Sequence, residues 1–254
     1  MERATIQGIA EEFWAEVGEP EAFPRSLESA VLWALPLGIF KLPRLWVSDA
    51  QSWLARRGIR FHLKTGDRPL HGCLLAYRGR GCVLLNGADS LAESRFSLSH
   101  EVAHFLLDYH RPRQRAVKRL GPSILEVFDG IRPPTVQERV HAILSGVPIG
   151  FHTHLMGRSE NGVIGCDLAG EAEDAADRLA LELLAPQGEV RRRVSHRRLI
   201  RDQQSLTQIA TMILQKDFGL PPGVAAGYAQ YLYPPVRRSS VREWLRQQET
   251  EGAP

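Results

Sequence analysis

Cysteine is scarce in this chain and shows no pattern. Its three residues, Cys73, Cys82 and Cys166, are odd in number and never fall in C-x-x-C spacing. That excludes a disulfide framework and a thiolate zinc knuckle, and it fits reduced thiols in a cytosolic setting. Charge of one sign is also lacking: 32 Lys and Arg against 29 Asp and Glu leave +3, too little by itself to argue for nucleic acid or a membrane as partner. Acids interrupt the opening MERATIQGIAEEFWAEVGEPEAF before any apolar run reaches the length of a signal peptide or a membrane span. Internal repeats and low-complexity tracts are missing as well. What is present is an ordinary globular composition, 43% hydrophobic and 24% charged, over 254 residues, enough to bury an apolar core. A cytoplasmic location with no membrane partner is expected.

Apolar residues at helical spacing predict an amphipathic helix over Ile6 to Val17. A second apolar segment, SLESAVLWALPLGIFKL, has Ser26 as N-cap and Pro36 to end its helix near Leu35. VSDAQSWLARRGI reads as a helix starting at Ser48 or Asp49 and stopped by Gly58. IRFHLK, GCLLAYRG and GCVLLNG then read as short strands of a small antiparallel sheet, with R-G-R-G at 78–81 as the hairpin tip. Helical period returns in S-R-F-S-L-S-H-E-V-A-H-F-L-L. From 112 to 170 the pattern is weakest: a helix from Thr135 to Leu144, then the loop-like SGVPIGFHTHLMGRSENG. EAEDAADRLALELLAP is a strong helix ended by Pro186, and SLTQIATMILQKDFGLPPGVAAGYAQYLY reads as two short helices joined by F-G-L-P-P. The expected fold is α+β and mainly helical. Residues 1–186 form one domain and 187–254 a C-terminal helical region, possible as a helix-turn-helix-like unit, ending in a polar tail.

His100 and His104 stand four apart on the predicted motif helix and therefore differ in direction by only about 40°. Two imidazoles on one face suit Zn²⁺, whose catalytic sites take three protein ligands and leave a position for water. Glu101 is displaced around the helix, where it can act as base without binding the metal, the arrangement of H-E-x-x-H peptidases. The motif alone is suggestive, since about one shuffled chain of this composition in forty would carry it. The bland alternative is a polar stripe on a core helix. Against it, the flanking residues are apolar, and buried imidazoles need partners. Downstream, Glu173 and Asp177 share a face of the later helix. Glu173 can complete a His₂Glu site, and Asp177 can accept an imidazole N–H and fix its tautomer. Taken alone, Glu173 reads as a solvated acid favoured at a helix N-terminus.

R-F-S-L-S-H-E-V-A-H-F-L-L, preceded by G-C-L-L-A-Y-R-G-R-G-C-V-L-L-N and followed by E-x-x-A-D-x-L-A-x-E-L-L-A-P, resembles the ImmA/IrrE family of bacterial zinc metallopeptidases over about Ile59 to Pro186. The family pattern is R-F-[ST]-x-A-H-E-x-x-H-x-L-L and, later, E-x-x-A-N-x-F-A-x-E-L-L-M-P. The resemblance implies a zincin-like domain with His100, His104 and Glu173 as metal ligands and Glu101 as catalytic acid/base. It implies zinc as the cofactor, with manganese as an alternative ion in vitro. Ser99, Asp177, Leu179 and Ala185 depart from the usual Ala, Asn, Phe and Met, and none of these removes a ligand or the base.

The separation of 69 positions between His104 and Glu173 is long for the family and suggests a substrate-binding element or a lid. It holds His141, His152 and His154. Together with Tyr109 and His110 these are the candidates for stabilising the transition state, though the favoured reading of His141, His152 and His154 is as ordinary loop residues. Understood relatives cut helix-turn-helix repressors and so switch on stress, mobile-element or DNA-repair genes, which implies a repressor as substrate and partner here. A rival reading is a DNA-binding or repressor-binding regulatory module with a structural zinc site. It rests on R-R-R at 191–193, H-R-R at 196–198 and the two following helices, residues that equally suit packing on the core.

Overall fold

The computed structural model describes residues 5–18, 22–59, 61–63, 65–145, 150–157, 171–196 and 203–234. Cys166, Arg197, Arg198 and the tail beyond residue 234 lie outside them, as does the side chain of His141. Among the described residues the chain is α+β and mainly helical, and no helix is long and apolar enough to cross a membrane.

Helix α1 (Ile6–Val17) is capped by the Thr5 hydroxyl, which accepts the Gly8 N–H, and it buries Ile9, Ala10, Phe13 and Trp14. Helix α2 (Leu27–Ala34) ends just before Pro36, as the sequence predicts. The residues after that proline form strand β1 (Leu37–Leu42). Helix α3 (Val47–Arg56) starts slightly earlier than expected, because Asp49 reaches back to accept the Trp46 N–H. Gly58, at φ 71°, supplies the left-handed residue that stops it.

The hairpin of β2 (Leu70–Tyr77) and β3 (Arg80–Asn86) stands where it was expected. The sheet is nonetheless mixed and not antiparallel. Its order is β1-β3-β2-β4, and β1 lies parallel to β3. IRFHLK contributes no strand among its described residues. The Gln51 side chain takes the partner's role there, donating to the Phe61 carbonyl at 2.6 Å and accepting the Leu63 N–H at 2.9 Å. Phe61 and Leu63 thus pack against α3 instead of pairing in the sheet.

The motif lies on α4 (Leu91–His104), which continues without a break through a π-helical turn, Phe105–His110, into α5 (Arg111–Leu120). Helices α6 (Ile124–Phe128) and α7 (Val136–Ser145) follow, the latter close to expectation and carrying His141. The stretch read as loop contains strand β4 (His152–Gly157), which pairs antiparallel with β2. Its alternation was concealed because the residues on one face are His152, His154 and Met156, two of them polar. Helices α8 (Glu171–Leu184), α9 (Gln187–His196), α10 (Gln203–Lys216) and α11 (Pro222–Leu232) complete the fold.

One apolar core joins α1, α2, the lower face of the sheet, α4 and α8 to α11. It therefore crosses the division at residue 186 that the sequence suggested. Polar ties reinforce the crossing: the Tyr228 hydroxyl donates to the Ala185 carbonyl at 3.3 Å, and Arg95 donates to the Phe218 carbonyl at 3.1 Å. The arginines of R-R-R are engaged within the fold. Arg191 donates to the Leu232 carbonyl at 3.4 Å, Arg192 pairs with Glu189 at 2.7 Å, and Arg193 bridges Glu189 at 2.8 Å and Asp217 at 3.2 Å.

Candidate metal centre

The phase of α4 is set at its start. The Ser90 hydroxyl accepts the Glu93 N–H at 3.3 Å while the Glu93 carboxylate accepts the Ser90 N–H at 2.8 Å, a reciprocal cap. Helix α8 then packs directly against α4. Ala103, Ala176 and Ala180 are wholly buried, and the Ser99 hydroxyl donates to the Ala180 carbonyl at 2.9 Å. Ser99 thus gains a bond that the family's usual Ala would not make. The close approach brings Glu173 and Asp177, one turn apart on α8, to the histidines on α4.

Each motif imidazole is held by a carboxylate on its Nδ1. His100 Nδ1 lies 2.8 Å from Asp177 Oδ1, and His104 Nδ1 lies 2.7 Å from Asp108 Oδ2. Asp177 stands where it can accept the His100 Nδ1–H and so fix that ring's tautomer. Asp108 was missed, although an acid four residues beyond the second histidine of the motif is legible in the sequence. With both Nδ1 atoms bonded to carboxylates, the two Nε2 atoms face one another at 3.2 Å. Two neutral imidazoles in that tautomer would set lone pair against lone pair, so a cation or a proton must lie between them.

Glu173 Oε2 completes a triangle, at 3.4 Å from His100 Nε2 and 3.6 Å from His104 Nε2. Ligands about 2.0–2.1 Å from a tetrahedral zinc stand about 3.3–3.4 Å apart, so the three atoms match the edges of such a site. His100, His104, His154 and Glu173 together offer ligand atoms within 4.8 Å of one another. The donor set of imidazole and carboxylate suits zinc or another first-row divalent ion.

Glu101 is fully buried. Its Oε2 lies 2.9 Å from His154 Nδ1, while its Oε1 is buried against Gly72 with no hydrogen-bond partner among the described residues. Burial would raise its pKa, but His154, His100 and His104 outweigh burial and hold the carboxyl below its ordinary value. Glu101 is therefore ionised at neutral pH, the state a base requires. Hydrogen bonding to His100 is the main cause that brings Glu173 down to about 2, against burial and with help from His154. Burial would lower the His100 pKa, yet bonds to Asp177 and Glu173 raise it to about 9 without metal.

A consequence for metal binding follows from the sign of that last shift. Below pH 9 the metal-free His100 carries a proton that an incoming ion must displace, so affinity rises with pH. Between pH 6 and 8 zinc affinity should increase about tenfold per pH unit for each proton released. Calorimetry in two buffers of different ionisation enthalpy should report about one proton released per zinc. A pH-independent affinity would contradict this site chemistry.

The remaining candidates separate. His154 stands within the cluster. His152, two residues away on β4, is partly buried with no partner for Nε2 among the described residues, and burial lowers its pKa. Tyr109 is wholly buried and its hydroxyl accepts the Gly79 N–H at 2.8 Å, so it braces the hairpin turn. His110 stacks on Phe105 with ring centroids 5.4 Å apart and meets Gln114 at 2.9 Å. Both belong to the helix that continues past the motif, and neither is in the ligand cluster. Cys73 and Cys82 take no part: burial pushes Cys73 well up and Cys82 up to about 12.

Gly72 on β2 is the floor above the base. A Cβ there would come within 2.9 Å of Glu101 Oε1 and 3.0 Å of its Cγ. Gly72→Ala should therefore move the carboxylate and slow any reaction that Glu101 serves, on the order of 10²-fold for a displacement of about 1 Å, with zinc content unchanged. Paired rate and metal measurements on the variant check this, and an unaltered rate would show that the position of Glu101 tolerates the intrusion.

Residues 55–122 match the family model of the IrrE N-terminal-like domain of M78 peptidases. The chain contains an IrrE N-terminal-like domain. The match runs from the end of α3 through the β2–β3 hairpin, α4 and α5, and it bears out the ImmA/IrrE resemblance. This M78-type segment supplies His100, Glu101, His104 and Asp108. It ends before β4 and α8, so His154, Glu173 and Asp177 join the centre from outside the matched residues. No curated protein and no solved structure matches the chain.

Proposed function

We propose that this protein is a cytoplasmic zinc-dependent endopeptidase that hydrolyses one specific protein, a helix-turn-helix transcriptional repressor, in a stress, mobile-element or DNA-damage response. The observation that carries the metallopeptidase reading is the triangle of His100 Nε2, His104 Nε2 and Glu173 Oε2, with sides of 3.2, 3.4 and 3.6 Å, beside a buried Glu101. The repressor as substrate and partner, and the setting, rest on the ImmA/IrrE resemblance.

His100, His104 and Glu173 would hold the ion. When bound, zinc polarises the scissile carbonyl and acidifies the attacking water toward neutrality. Glu101, ionised and beside the three ligands, would take a proton from the attacking water and return it to the leaving amine. Asp177 and Asp108 keep the two imidazoles in the tautomer that presents Nε2 to the site.

The test is to incubate the purified protein with a repressor encoded beside its gene, with zinc or manganese and with a chelator. Discrete, chelator-sensitive fragments are expected. Stable co-elution without fragments would replace the peptidase by a repressor-binding module. Casein is an uninformative substrate for a peptidase of this specificity.

A further inference from the structure

His154 touches both acids of the centre, and it touches each by one oxygen only. Its Nδ1 lies 2.9 Å from Glu101 Oε2, and its Nε2 lies 3.2 Å from Glu173 Oε1. Among the described residues Glu101 Oε1 is thereby left without a partner, and Glu173 Oε2 is left facing the two motif histidines. One imidazole so holds one oxygen of each carboxylate and leaves the other unheld.

Direct ligation is the competing role, since His154 falls within the ligand cluster. The ring geometry argues against it. Two imidazoles on one tetrahedral zinc have ring centroids about 5 Å apart. His100 stands 4.7 Å from His104 and 5.2 Å from His154, but His154 lies flat on His104 with centroids 3.7 Å apart and planes within 19°, so His104 and His154 cannot both occupy vertices, and it is His154 whose two nitrogens already meet carboxylates. Stacking of that kind places a ring beside a ligand and not at a vertex. The strand explains the placement. Pairing of His154 with Leu74 seats it on β4 beside β2, the strand whose Gly72 lies against Glu101.

We infer that His154 is a positioning residue: delivered by β4, it clamps Glu101 and Glu173 together so that each presents a single oxygen to the metal and its water. The inference rests on the proposed metallopeptidase reading. It also gives the long separation between the motif and the third ligand a purpose, since Glu173 is more exposed than the histidines and is steadied from the β4 side. Its carboxylate is 37% exposed, against 5% and 3% for His100 and His104, so it has the most freedom to lose.

The two ring nitrogens can be tested apart. In His154→Asn the amide nitrogen stands near Nδ1 and can keep the Glu101 bond; in His154→Gln it stands near Nε2 and can keep the Glu173 bond. Zinc affinity is measured by competition with a chromophoric chelator, and the ligand field by the visible spectrum of the cobalt-substituted protein. His154→Ala and His154→Asn should bind zinc about 10–100-fold more weakly, with His154→Gln within about threefold of the parent and cobalt band positions kept in all. Circular dichroism of the metal-free variants separates folding from binding, and if the alanine variant is unfolded the Asn and Gln pair decides. Equal affinity in all variants would overturn the clamp, and so would a cobalt spectrum that loses a nitrogen ligand. These readouts need no substrate, so the clamp and the peptidase reading fail separately.

Discussion

Glu101→Gln is expected to leave zinc bound and to reduce repressor cleavage by a factor on the order of 10²–10⁴. The amide is nearly isosteric with the carboxylate, so the packing of Glu101 beneath Gly72 survives. What disappears is proton acceptance by the carboxylate, whose Oε1 has no hydrogen-bond partner among the described residues. An amide can also turn either its oxygen or its nitrogen toward His154, which keeps the strand contact satisfied. Metal content by elemental analysis and fragment formation on a gel are the two measurements. Full activity in a protein that still holds zinc would remove Glu101 from the mechanism. Loss of zinc together with activity would mean that Glu101 is a ligand, which its bond to His154 argues against.

Glu173→Ala should have the next largest effect, and on a different observable. Structural zinc sites bind with about 10–16 kcal/mol in all, so one of three or four ligands accounts for about 3–4 kcal/mol, or about 10²–10³-fold in affinity. The variant should fall short of stoichiometric zinc while its fold holds. Glu173 is partly exposed near the start of α8 and belongs to no apolar cluster, so its removal opens no cavity. The metal-free variant should melt somewhat below the metal-free parent, because the bonds of this carboxylate to His100 and His154 are lost, and the zinc-dependent increment should shrink as well. A zinc affinity equal to the parent's would pass the third ligand to His154 and reverse the roles argued above.

Much of this centre is legible along the chain because a helix makes short-range geometry predictable. Four residues of separation put His100 and His104 on one face wherever that helix lies, and the same rule puts Glu173 beside Asp177 and would have found Asp108. The apolar period likewise exposes α1, α4 and α8, whose buried faces agree with expectation. The sheet was harder. β1 follows a proline that signals only an ending, and its parallel partner lies across an intervening helix and hairpin. The segment of Phe61 and Leu63 has strand composition but satisfies its backbone with the Gln51 side chain. In each case the backbone's partner was decided by residues distant in sequence, which local propensity does not weigh.

By itself the sequence determined the chemistry that can be read within one helix: two imidazoles, a neighbouring base, and on a later helix a pair of acids of the right kind. Only the tertiary structure decided which groups meet them. Burial of alanines and Ser99 between α4 and α8 draws Glu173 and Asp177 onto the histidines, and pairing of β4 with the free edge of β2 brings in His154. Candidates that the sequence ranked alike, Tyr109, His110, His152 and His154, are separated for the same reason. Direction along a strand or around a π-turn is fixed by packing against the rest of the chain, and a shift of one or two residues carries a side chain into the centre or away from it.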